Sequence, residues 1–258
     1  MTIVRLQDRA VLKVAGADCQ NFLQGLLTQD IFRLSPTCPL YAAMLSPQGK
    51  SLFDMMVFAD SDAIMIDVAY DRAESLAKRL TMYKLRKSVT IEATSLSVYA
   101  AWGGDAADRT TDPRFPPLGS RWIAETAGPD GSAEYEHHRL AIGVPGSAEI
   151  GIDELLWLET GADLLNGVSF TKGCYVGQEN TARMHHRDKV KRRLVPVRFE
   201  GDPGDGIVRD SAGRSAGTLR GKSFAHLRLE AAGGSLHVGS TLLTVQRPAW
   251  LAPAMADA

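Results

Sequence analysis

The sequence predicts an α+β protein whose C-terminal part is a small β-barrel. Over the first hundred residues, runs with strand character alternate with stretches whose apolar residues recur at helical spacing. This order is typical of an antiparallel sheet with helices packed on one face. After Arg193 the pattern changes to short alternating runs between glycine-rich turns, as in a small barrel or sandwich. A chain of 258 residues is long enough to bury the core that such an architecture needs.

Local patterns predict the individual elements. Strands are predicted at residues 11–14, 41–45, 52–58, 64–68, 89–91, 96–102, 194–199, 207–208, 216–219, 227–229 and 242–245. Apolar residues at helical spacing predict one helix between residues 18 and 31 and a second from residue 71 to residue 83. The proline-rich stretch 110–119 predicts a loop or a subdomain boundary. The tail, residues 248–258, has little to pack and is expected to fray.

Composition excludes several classes of protein. The formal net charge of −1 argues against a surface coated in positive charge for bulk nucleic-acid binding, although a local patch remains open. No apolar run approaches the roughly 20 residues that a membrane-spanning helix needs, and the N-terminus lacks a secretory signal pattern. The three cysteines are far apart and odd in number, which favours a reducing compartment over a disulfide scaffold. We expect a bacterial-type cytoplasm or the mitochondrial matrix, and no membrane partner.

The octapeptide K-G-C-Y-V-G-Q-E at residues 172–179 concentrates reactive groups. Lys172 lies two positions before Cys174 and can favour its thiolate, the form that attacks electrophiles and binds metals. The glycines on either side of the cysteine allow tight turns and the close approach of a ligand. Gln178 and Glu179 add an amide and a carboxylate where a helix is expected to begin. Such a loop predicts a functional site.

This octapeptide resembles the signature of the YgfZ family, folate-binding-fold proteins related to the glycine-cleavage T-protein, an aminomethyltransferase. The segment N-G-V-S-F-T before it, and T-A-R-M-H-H and K-R-R after it, are similar to the mitochondrial branch of the family. The segment F-L-Q-G-L-L-T-Q-D at residues 22–30, the turn S-P-Q-G-K at 46–50 and the R-x-x-x-G-x-P pattern at 139–145 resemble further family motifs. Proteins of the mitochondrial branch assist the late assembly of 4Fe-4S clusters.

The resemblance implies a T-protein-like folate-binding fold with a ferredoxin-like subdomain and a small C-terminal β-barrel. Residues 1–190 would form the aminomethyltransferase-like folate-binding domain, with the ferredoxin-like subdomain at 41–102. Residues 191–258 would form the barrel. A central hole would hold tetrahydrofolate or a derivative as the cofactor.

The resemblance also implies roles for two carboxylates. Glu159 matches the T-protein acid that grips the pterin ring, whose paired N–H donors suit a carboxylate; an ordinary helix-surface glutamate is the alternative. Asp54 matches the acid near the reactive nitrogen of folate, where it could help to move a proton; a solvent-facing strand residue is the alternative. Trp157 stands where a proline is common and Gly161 where an asparagine is common, so the shape of this loop is expected to depart from the family.

Cys174 is the main candidate for chemistry, with Lys172 and Asp54 as further catalytic candidates. One thiolate cannot supply the four cysteine ligands that an iron–sulfur cluster usually takes. A shared or transient cluster ligand at an interface, a redox role and thiol exchange therefore stay open. The candidate cofactor-binding residues are Asp54, Glu159, Tyr175, Gln178, Glu179 and Arg183. The other two cysteines, Cys19 and Cys38, are expected to be small buried apolar residues.

A basic run follows the octapeptide, broken among its charges only by Asp188. A solvated face, an anchor for a folate polyglutamate tail and a contact for RNA phosphates are its three interpretations. No aromatic residue interleaves the cations, which disfavours stacking on single-stranded RNA. Its two adjacent histidines diverge on a helix and lack a third ligand at a metal-site spacing, so no metal site is predicted. The members of the run are Arg183, His185, His186, Arg187, Lys189, Lys191, Arg192 and Arg193.

These features together predict a YgfZ-like folate-binding protein that assists the assembly or repair of iron–sulfur proteins. Its partners would be folate and iron–sulfur assembly proteins or client enzymes, and it would be an accessory factor rather than an enzyme. One alternative is a tetrahydrofolate-dependent one-carbon transferase such as an aminomethyltransferase, which Asp54 favours. The second alternative is a tRNA-associated factor that uses the basic run.

Overall fold

The computed structural model describes residues 1–104, 109–186, 190–201, 203 and 206–256. Its strands are β1 Thr2–Leu6, β2 Arg9–Ala15, β3 Leu40–Leu45, β4 Ser51–Asp60, β5 Ala63–Ala69, β6 Thr90–Ala93, β7 Ser97–Trp102, β8 Ser120–Ala124, β9 Arg192–Arg198, β10 Ile207–Asp210, β11 Ser215–Arg220, β12 Phe224–Arg228, β13 Leu236–Val238 and β14 Thr241–Val245. Its helices are α1 Cys19–Gln24, α2 Ala73–Lys84, α3 Ser132–Ala141, α4 Ser147–Ile150, α5 Gln178–His186 and α6 Ala252–Ala256. Short 3₁₀ turns lie at Ile31–Arg33, Tyr70–Arg72, Pro116–Leu118, Trp157–Thr160 and Leu229–Ala231.

A five-stranded antiparallel sheet in the order β3-β4-β5-β2-β6 organises the first part of the chain. Its strands contribute alternately to two apolar cores, because successive side chains of a strand point to opposite faces. In β3, Leu40, Ala42 and Met44 pack with α1 and α2 on one face. Tyr41 and Ala43 face the second core. The predicted layer of helices on one face is thus present, and the opposite face is covered as well.

The second core is closed by a three-stranded sheet, β1-β7-β8, and Asp67 links this sheet to the first. Its carboxylate accepts from Arg9 Nε of β2 at 2.6 Å and from Arg121 Nε of β8 at 2.7 Å. Burial alone would raise the pKa of Asp67, but the charges of Arg121 and Arg9 outweigh it and hold that pKa below its usual value. A buried carboxylate between two guanidiniums therefore connects the two layers.

The C-terminal strands form a closed barrel in the order β10-β11-β12-β9-β14-β13. The α+β class and the small barrel are confirmed. The expectation that residues 248–258 fray is wrong for the described part of this segment. Trp250 and Leu251 are buried in the barrel core, and α6 follows them. Two large apolar side chains are enough to dock this short segment.

The five-stranded sheet does not coincide with residues 41–102. Strand β2 comes from outside that range and pairs between β5 and β6, whereas β7 leaves the sheet and pairs with β1 and β8. The strands β1, β8 and β13 are additions to the predicted elements. The helix expected between residues 18 and 31 ends early, because the chain bends after α1 and continues through Leu27, which pairs with Met44 of β3. None of the described helices is long and apolar enough to cross a membrane.

We expect Asp67→Asn to lower the free energy of unfolding by about 3–5 kcal/mol, because it leaves two buried guanidiniums without a counter-charge. Glu74→Gln, which removes an exposed pair with Lys78, is the matched control and should cost about 0.5 kcal/mol or less. Urea denaturation at neutral pH measures both. The contribution of Asp67 is complete above the carboxyl's unfolded pKa and is lost as the pH falls through its lower folded pKa. Equal effects of the two substitutions at pH 7 would contradict the role of Asp67.

Candidate functional site

The octapeptide loop is fixed at its start by Lys172. The Lys172 ammonium donates to the backbone carbonyls of Gln24 at 2.6 Å, Leu27 at 2.5 Å and Gln29 at 3.0 Å. These acceptors belong to the last residue of α1 and to the turn after it, where a helix leaves carbonyls without partners. The side chain is only 7% exposed. Three donors thus meet three acceptors inside the protein.

This environment sets the state of the Lys172 amine. Burial lowers the pKa of Lys172 to about 8, and Asp30 opposes that shift. The amine is therefore mostly protonated at neutral pH and keeps three donors. A lysine that favours the thiolate of Cys174 must hold its charge beside the sulfur. The described contacts instead direct the ammonium to the carbonyls after α1 and to the ring of Tyr175, whose centroid is 5.0 Å from Nζ.

Cys174 is exposed, together with Gly173, between the buried residues Lys172 and Tyr175. Lys172 precedes it, and Tyr175, which follows it, is 8% exposed and belongs to the core between the two sheets. Burial raises the pKa of Tyr175 to about 12, so its hydroxyl is neutral at physiological pH. A Cβ placed on Gly173 would meet no heavy atom within 4 Å. The loop therefore presents the thiol to solvent while both of its ends remain inside the protein.

The far end of the loop is fixed by Gly177. Its φ is +82°, and a Cβ at this position would lie 2.5 Å from the carbonyl oxygen of Ser46 in the β3–β4 turn. Only glycine fits this conformation and this contact. Helix α5 then docks on the same turn, where Asn180 Nδ2 donates to the carbonyl of Gln48 at 2.9 Å. The S-P-Q-G-K turn and the octapeptide thus form one packed unit.

The segment before the octapeptide is bound to the turn after α1. Thr28 Oγ1 donates to the carbonyl of Gly167 at 2.7 Å, and the Thr28 carbonyl accepts from the Ser169 amide at 3.0 Å. Gln29 Nε2 donates to the carbonyl of Asn166 at 2.8 Å. Motifs separated by more than 130 residues therefore meet around the cysteine loop. The sequence interpretation did not identify Thr28 and Gln29 as parts of the site, although both lie in a segment that resembles the family.

A separate cavity of about 430 Å³ is lined by residues from both sheets, α3 and α4. Asp54 of β4 lines this cavity and is 8% exposed, and no described residue donates a hydrogen bond to its carboxylate. Burial raises the pKa of the neighbouring Tyr41 well above its usual value, and the charge of Asp54 raises it further. Buried polar groups normally have partners. An unpartnered carboxylate that faces a hollow is therefore suited to bind a ligand N–H.

Two arginines of the cavity, Arg114 and Arg121, are bound by other side chains. Arg114 donates to the Asp112 carboxylate at 3.0 and 2.6 Å and to the Tyr135 hydroxyl at 2.8 Å. Arg121 is held by Asp67. These residues were missed by the sequence interpretation, which predicted only a loop or a boundary at residues 110–119. The acidic and basic residues of D-P-R, two positions apart within a proline-rich apolar stretch, were the available signal for a buried ion pair.

Glu159 lies apart from Asp54. It belongs to the turn Trp157–Thr160, and its Oε2 is 3.3 Å from Nε2 of His226 on β12, in a geometry without a hydrogen bond. The described residues that line the cavity include neither Glu159 nor Cys174. The expectation that Glu159 and Asp54 both contact one folate is therefore not met by the described lining of this cavity.

The turn that carries Glu159 is held against the barrel. Arg193 of β9 donates to the carbonyl of Leu158 at 3.0 Å and to both oxygens of Asp163 at 2.7 and 2.8 Å. These contacts orient the turn toward β9 and β12 rather than toward the cavity. They also show that Arg193 is a buried structural residue and not part of a solvated basic face.

The structure gives a packing role to each of the two residues of this loop that differ from the common family residues. Trp157 is fully buried, donates from Nε1 to the carbonyl of Gly167 at 2.9 Å and packs on Tyr41 with ring centroids 5.5 Å apart. Gly161 ends the turn with φ +85°, and a Cβ there would lie 2.7 Å from the ring of Trp250. A glycine at this position thus makes room for the C-terminal segment.

The other candidate cofactor-binding residues lie on or beside α5 and are not among the described residues that line the cavity. Gln178 accepts a hydrogen bond from the Tyr175 amide at 3.4 Å, which supports the loop rather than a ligand. Glu179 is exposed. Arg183 is exposed and donates to Asn180 Oδ1 at 2.7 Å.

The basic run is divided among different environments. His185 stacks on Phe170, with ring centroids 3.6 Å apart, and so packs beside the octapeptide loop. Lys191 and Arg192 are exposed. Arg187 and Lys189 lie outside the described residues.

The cysteines and acidic residues do not assemble a metal site in the described parts of the chain, where no group of three His, Cys, Asp or Glu could hold an ion. Cys19 is buried as predicted. The prediction for Cys38 is wrong: its side chain is exposed, because it lies in a surface turn closed by backbone hydrogen bonds with Ser35. The chain therefore carries two exposed thiols, and only Cys174 has buried anchors on both sides.

Comparison with known proteins identifies the family. Residues 191–253 match the model of the CAF17 C-terminal β-barrel domain. The human mitochondrial iron–sulfur cluster assembly factor IBA57 is 33% identical over 91% of this chain and 79% of its own length. The chain belongs to the IBA57 branch of the YgfZ family. Mouse mitochondrial IBA57 is 31% identical over 92% of this chain and 80% of its own length. The predicted family is thus confirmed.

The fold also matches a solved T-protein. The crystal structure of the glycine cleavage system aminomethyltransferase T from Bartonella henselae superposes with a TM-score of 0.76, covering 96% of this chain and 85% of that one. The sequence identity is 12%, so this similarity concerns the fold. It confirms the T-protein-like architecture that the resemblance implied for this IBA57-family chain.

We expect Gly177→Ala to lower the free energy of unfolding by about 2 kcal/mol or more, because the φ of +82° and the 2.5 Å contact with Ser46 both exclude a Cβ. Gly173→Ala is the matched control. A Cβ there meets nothing, so its cost should stay within about 0.5 kcal/mol. Urea denaturation of the two variants measures the difference. A Gly177→Ala variant as stable as wild type would show that the loop is not fixed at this point.

Proposed function

We propose that this protein assists the assembly or repair of iron–sulfur proteins by presenting Cys174 to a cluster that is shared with a partner protein. The observation that carries the proposal is an exposed thiol held between buried anchors, in a family whose relatives are named iron–sulfur cluster assembly factors. The cluster is cargo in this role. The protein is then an accessory factor rather than an enzyme.

The chemistry follows from the number of available ligands. An iron–sulfur cluster usually takes four cysteine thiolates, and Cys174 supplies one. The described residues offer no further group that could complete a metal site. Cys174 therefore needs ligands from an iron–sulfur assembly protein or a client enzyme. A loop fixed at both ends holds the sulfur in place while the cluster is shared with the partner, so less conformational entropy is lost when the partner binds.

We expect Cys174→Ser to abolish the rescue of 4Fe-4S enzyme activity in a strain that lacks this protein, because the hydroxyl that replaces the thiol is a poor ligand for iron in a cluster. Cys38→Ser is the matched control, since it removes the other exposed thiol, and it should rescue fully. Enzyme activity in extracts, normalised to the amount of each variant, is the readout. Full rescue by Cys174→Ser would remove the thiol from the mechanism.

A tetrahydrofolate derivative is the cofactor that we propose for the cavity. The cavity volume lies in the range of small-molecule sites, and the unpartnered Asp54 carboxylate suits a ring N–H. Asp54 would hold the cofactor, with Tyr41 and Tyr135 as aromatic walls. When bound, the folate would supply a carrier for one-carbon units. Asp54 can accept a proton from the bound ring or hold its N–H group in place. Glu159, which lies against His226, has no part in this site.

We expect tetrahydrofolate to raise the thermal stability of wild type, by about 2.7 kcal/mol at a hundredfold excess over the Kd. Asp54→Asn should lose most of this stabilisation because the amide cannot accept in place of both carboxylate oxygens. Glu159→Gln is the matched control and should keep it. Trp157 packs on Tyr41 of the cavity wall, so intrinsic fluorescence gives a second readout. Loss of binding in Glu159→Gln alone would restore the role that the family resemblance assigned to Glu159.

A folate-dependent aminomethyltransferase is the second candidate, because the unpartnered Asp54 and the T-protein-like fold both favour it. Formation of methylene-tetrahydrofolate from an aminomethyl-lipoyl carrier separates the two functions, and clear turnover would favour the transferase. A tRNA-associated role would use the exposed Lys191 and Arg192 and would give a steep dependence of tRNA affinity on salt.

The relatives named above are mitochondrial proteins. A mitochondrial matrix or bacterial cytoplasmic location for this chain agrees with its cysteine content.

A further inference from the structure

A groove of about 660 Å³ lies beside α5, between the start of the barrel and the C-terminal helix α6. Its floor is apolar and includes Leu158, Leu164, Met184 and Leu229. Leu158 and Leu229 are buried, whereas Leu164 and Met184 are partly exposed. A concave apolar surface of this size is suited to a small ligand or to a few residues of a peptide.

The charges of the groove are unbalanced. Among the described residues of its lining are four cations, Lys191, Arg192, Arg193 and Arg228, and two carboxylates, which gives these residues a formal charge of +2. Both carboxylates are already bound: Asp163 by Arg193 at 2.7 Å, and Glu230 by Arg228 at 2.6 Å. Lys191 and Arg192 are exposed and form no ion pair with any described residue. An occupant that complements this groove therefore carries negative charge next to apolar side chains.

Helix α5 connects the cysteine loop to the groove. This helix begins four residues after Cys174, and Met184 and His185 in its last turn line the groove. Nine helical residues span about 13 Å. The His185 ring also stacks on Phe170 in the segment before the octapeptide. A partner bound at Cys174 can thus reach the groove with an extended segment of about four or five residues.

From these observations we infer that the groove is a docking site for a short acidic segment of a partner protein, with apolar side chains on the floor and carboxylates against Lys191 and Arg192. A partner protein fits better than RNA because the floor is apolar and the one aromatic ring among its described lining residues, that of His185, already stacks on Phe170. The inference rests on the proposed function in naming the partner that meets Cys174. Its own test does not involve the thiol.

The probe is a fluorescein-labelled hexapeptide, E-E-L-L-E-E, whose binding is followed by fluorescence anisotropy. Two control peptides separate the contributions: Q-Q-L-L-Q-Q lacks the charge, and E-E-S-S-E-E lacks the apolar side chains. Both controls should bind at least tenfold more weakly than the probe. Equal binding of E-E-S-S-E-E would overturn the proposal, because a purely anionic ligand such as a polyglutamate tail would then suffice.

Three variants locate the site on the protein. The double substitution Lys191→Glu/Arg192→Glu should weaken binding of the probe at least tenfold by reversing the charge at the groove. Ala254→Phe should also weaken it, because the added ring fills the hollow while the charges stay. Lys87→Glu, which reverses an exposed cation just after α2, is the matched control and should bind like wild type. The charge-reversed positions are exposed, so that variant remains informative if Ala254→Phe does not fold.

A further measurement separates this inference from the proposed function. Cys174→Ser should bind the probe with unchanged affinity, because the thiol does not line the groove. Loss of cluster-related rescue with intact probe binding would end the role of Cys174 and leave the groove in place. Three results would each overturn the docking site. The first is probe binding that is insensitive to both groove variants, and the second is binding that does not saturate up to millimolar peptide. The third is tRNA binding that is lost in the charge-reversed variant while the peptide never binds.

Discussion

The Lys172 ammonium, enclosed by three backbone carbonyls, is the contact on which the candidate site depends. Burying an ammonium is costly unless its hydrogen-bonding capacity is filled, and here three donors meet the carbonyls of Gln24, Leu27 and Gln29. The same contact satisfies the Gln24 carbonyl, which the end of α1 leaves free. It ties the start of the octapeptide to a segment almost 150 residues earlier in the chain. The cysteine loop therefore has a fixed origin from which Cys174 extends into solvent.

In the rest of the site, too, buried residues flank the exposed cysteine. Tyr175 enters the core directly after the cysteine, and Gly177 packs against the β3–β4 turn. Only two residues, Gly173 and Cys174, lie exposed between the buried Lys172 and Tyr175. Such a segment has little freedom to withdraw the sulfur or to fold over it. This is the property that a protein needs when one thiol is offered to a cluster whose other ligands lie on a partner.

The sequence allowed much of the architecture to be predicted but less of the site. Periodicity located the β3–β4 hairpin to within two residues and identified the barrel, because alternation and turn chemistry are local properties. The spacing of Lys172 and Cys174 suggested that the lysine charge favours the thiolate, yet spacing alone does not tell in which direction the lysine side chain points. The direction is set by carbonyls from a distant segment. The position of Glu159 was misjudged for a similar reason, since contacts of Arg193 with the turn draw it toward the barrel.

The separation of the cavity from the cysteine loop has a functional consequence. Asp54 lines the cavity, whereas Cys174 is exposed and is not among the described residues of that lining, so the proposed folate site and the proposed cluster site are separate. The β3–β4 hairpin connects the two, because its turn packs on Gly177 and its second strand carries Asp54. That hairpin is the structural element shared by both sites.

The most direct test of the anchored, outward-facing thiol is the rate of iodoacetamide alkylation of each cysteine in the native protein, followed by mass spectrometry. The three cysteines provide their own references: Cys19 is buried, and Cys38 is exposed on a surface turn. The structure predicts that Cys174 and Cys38 are alkylated in the folded protein and that Cys19 reacts only on unfolding. If Cys174 were as protected as Cys19, the loop would not present the thiol, and the account of the site would be contradicted.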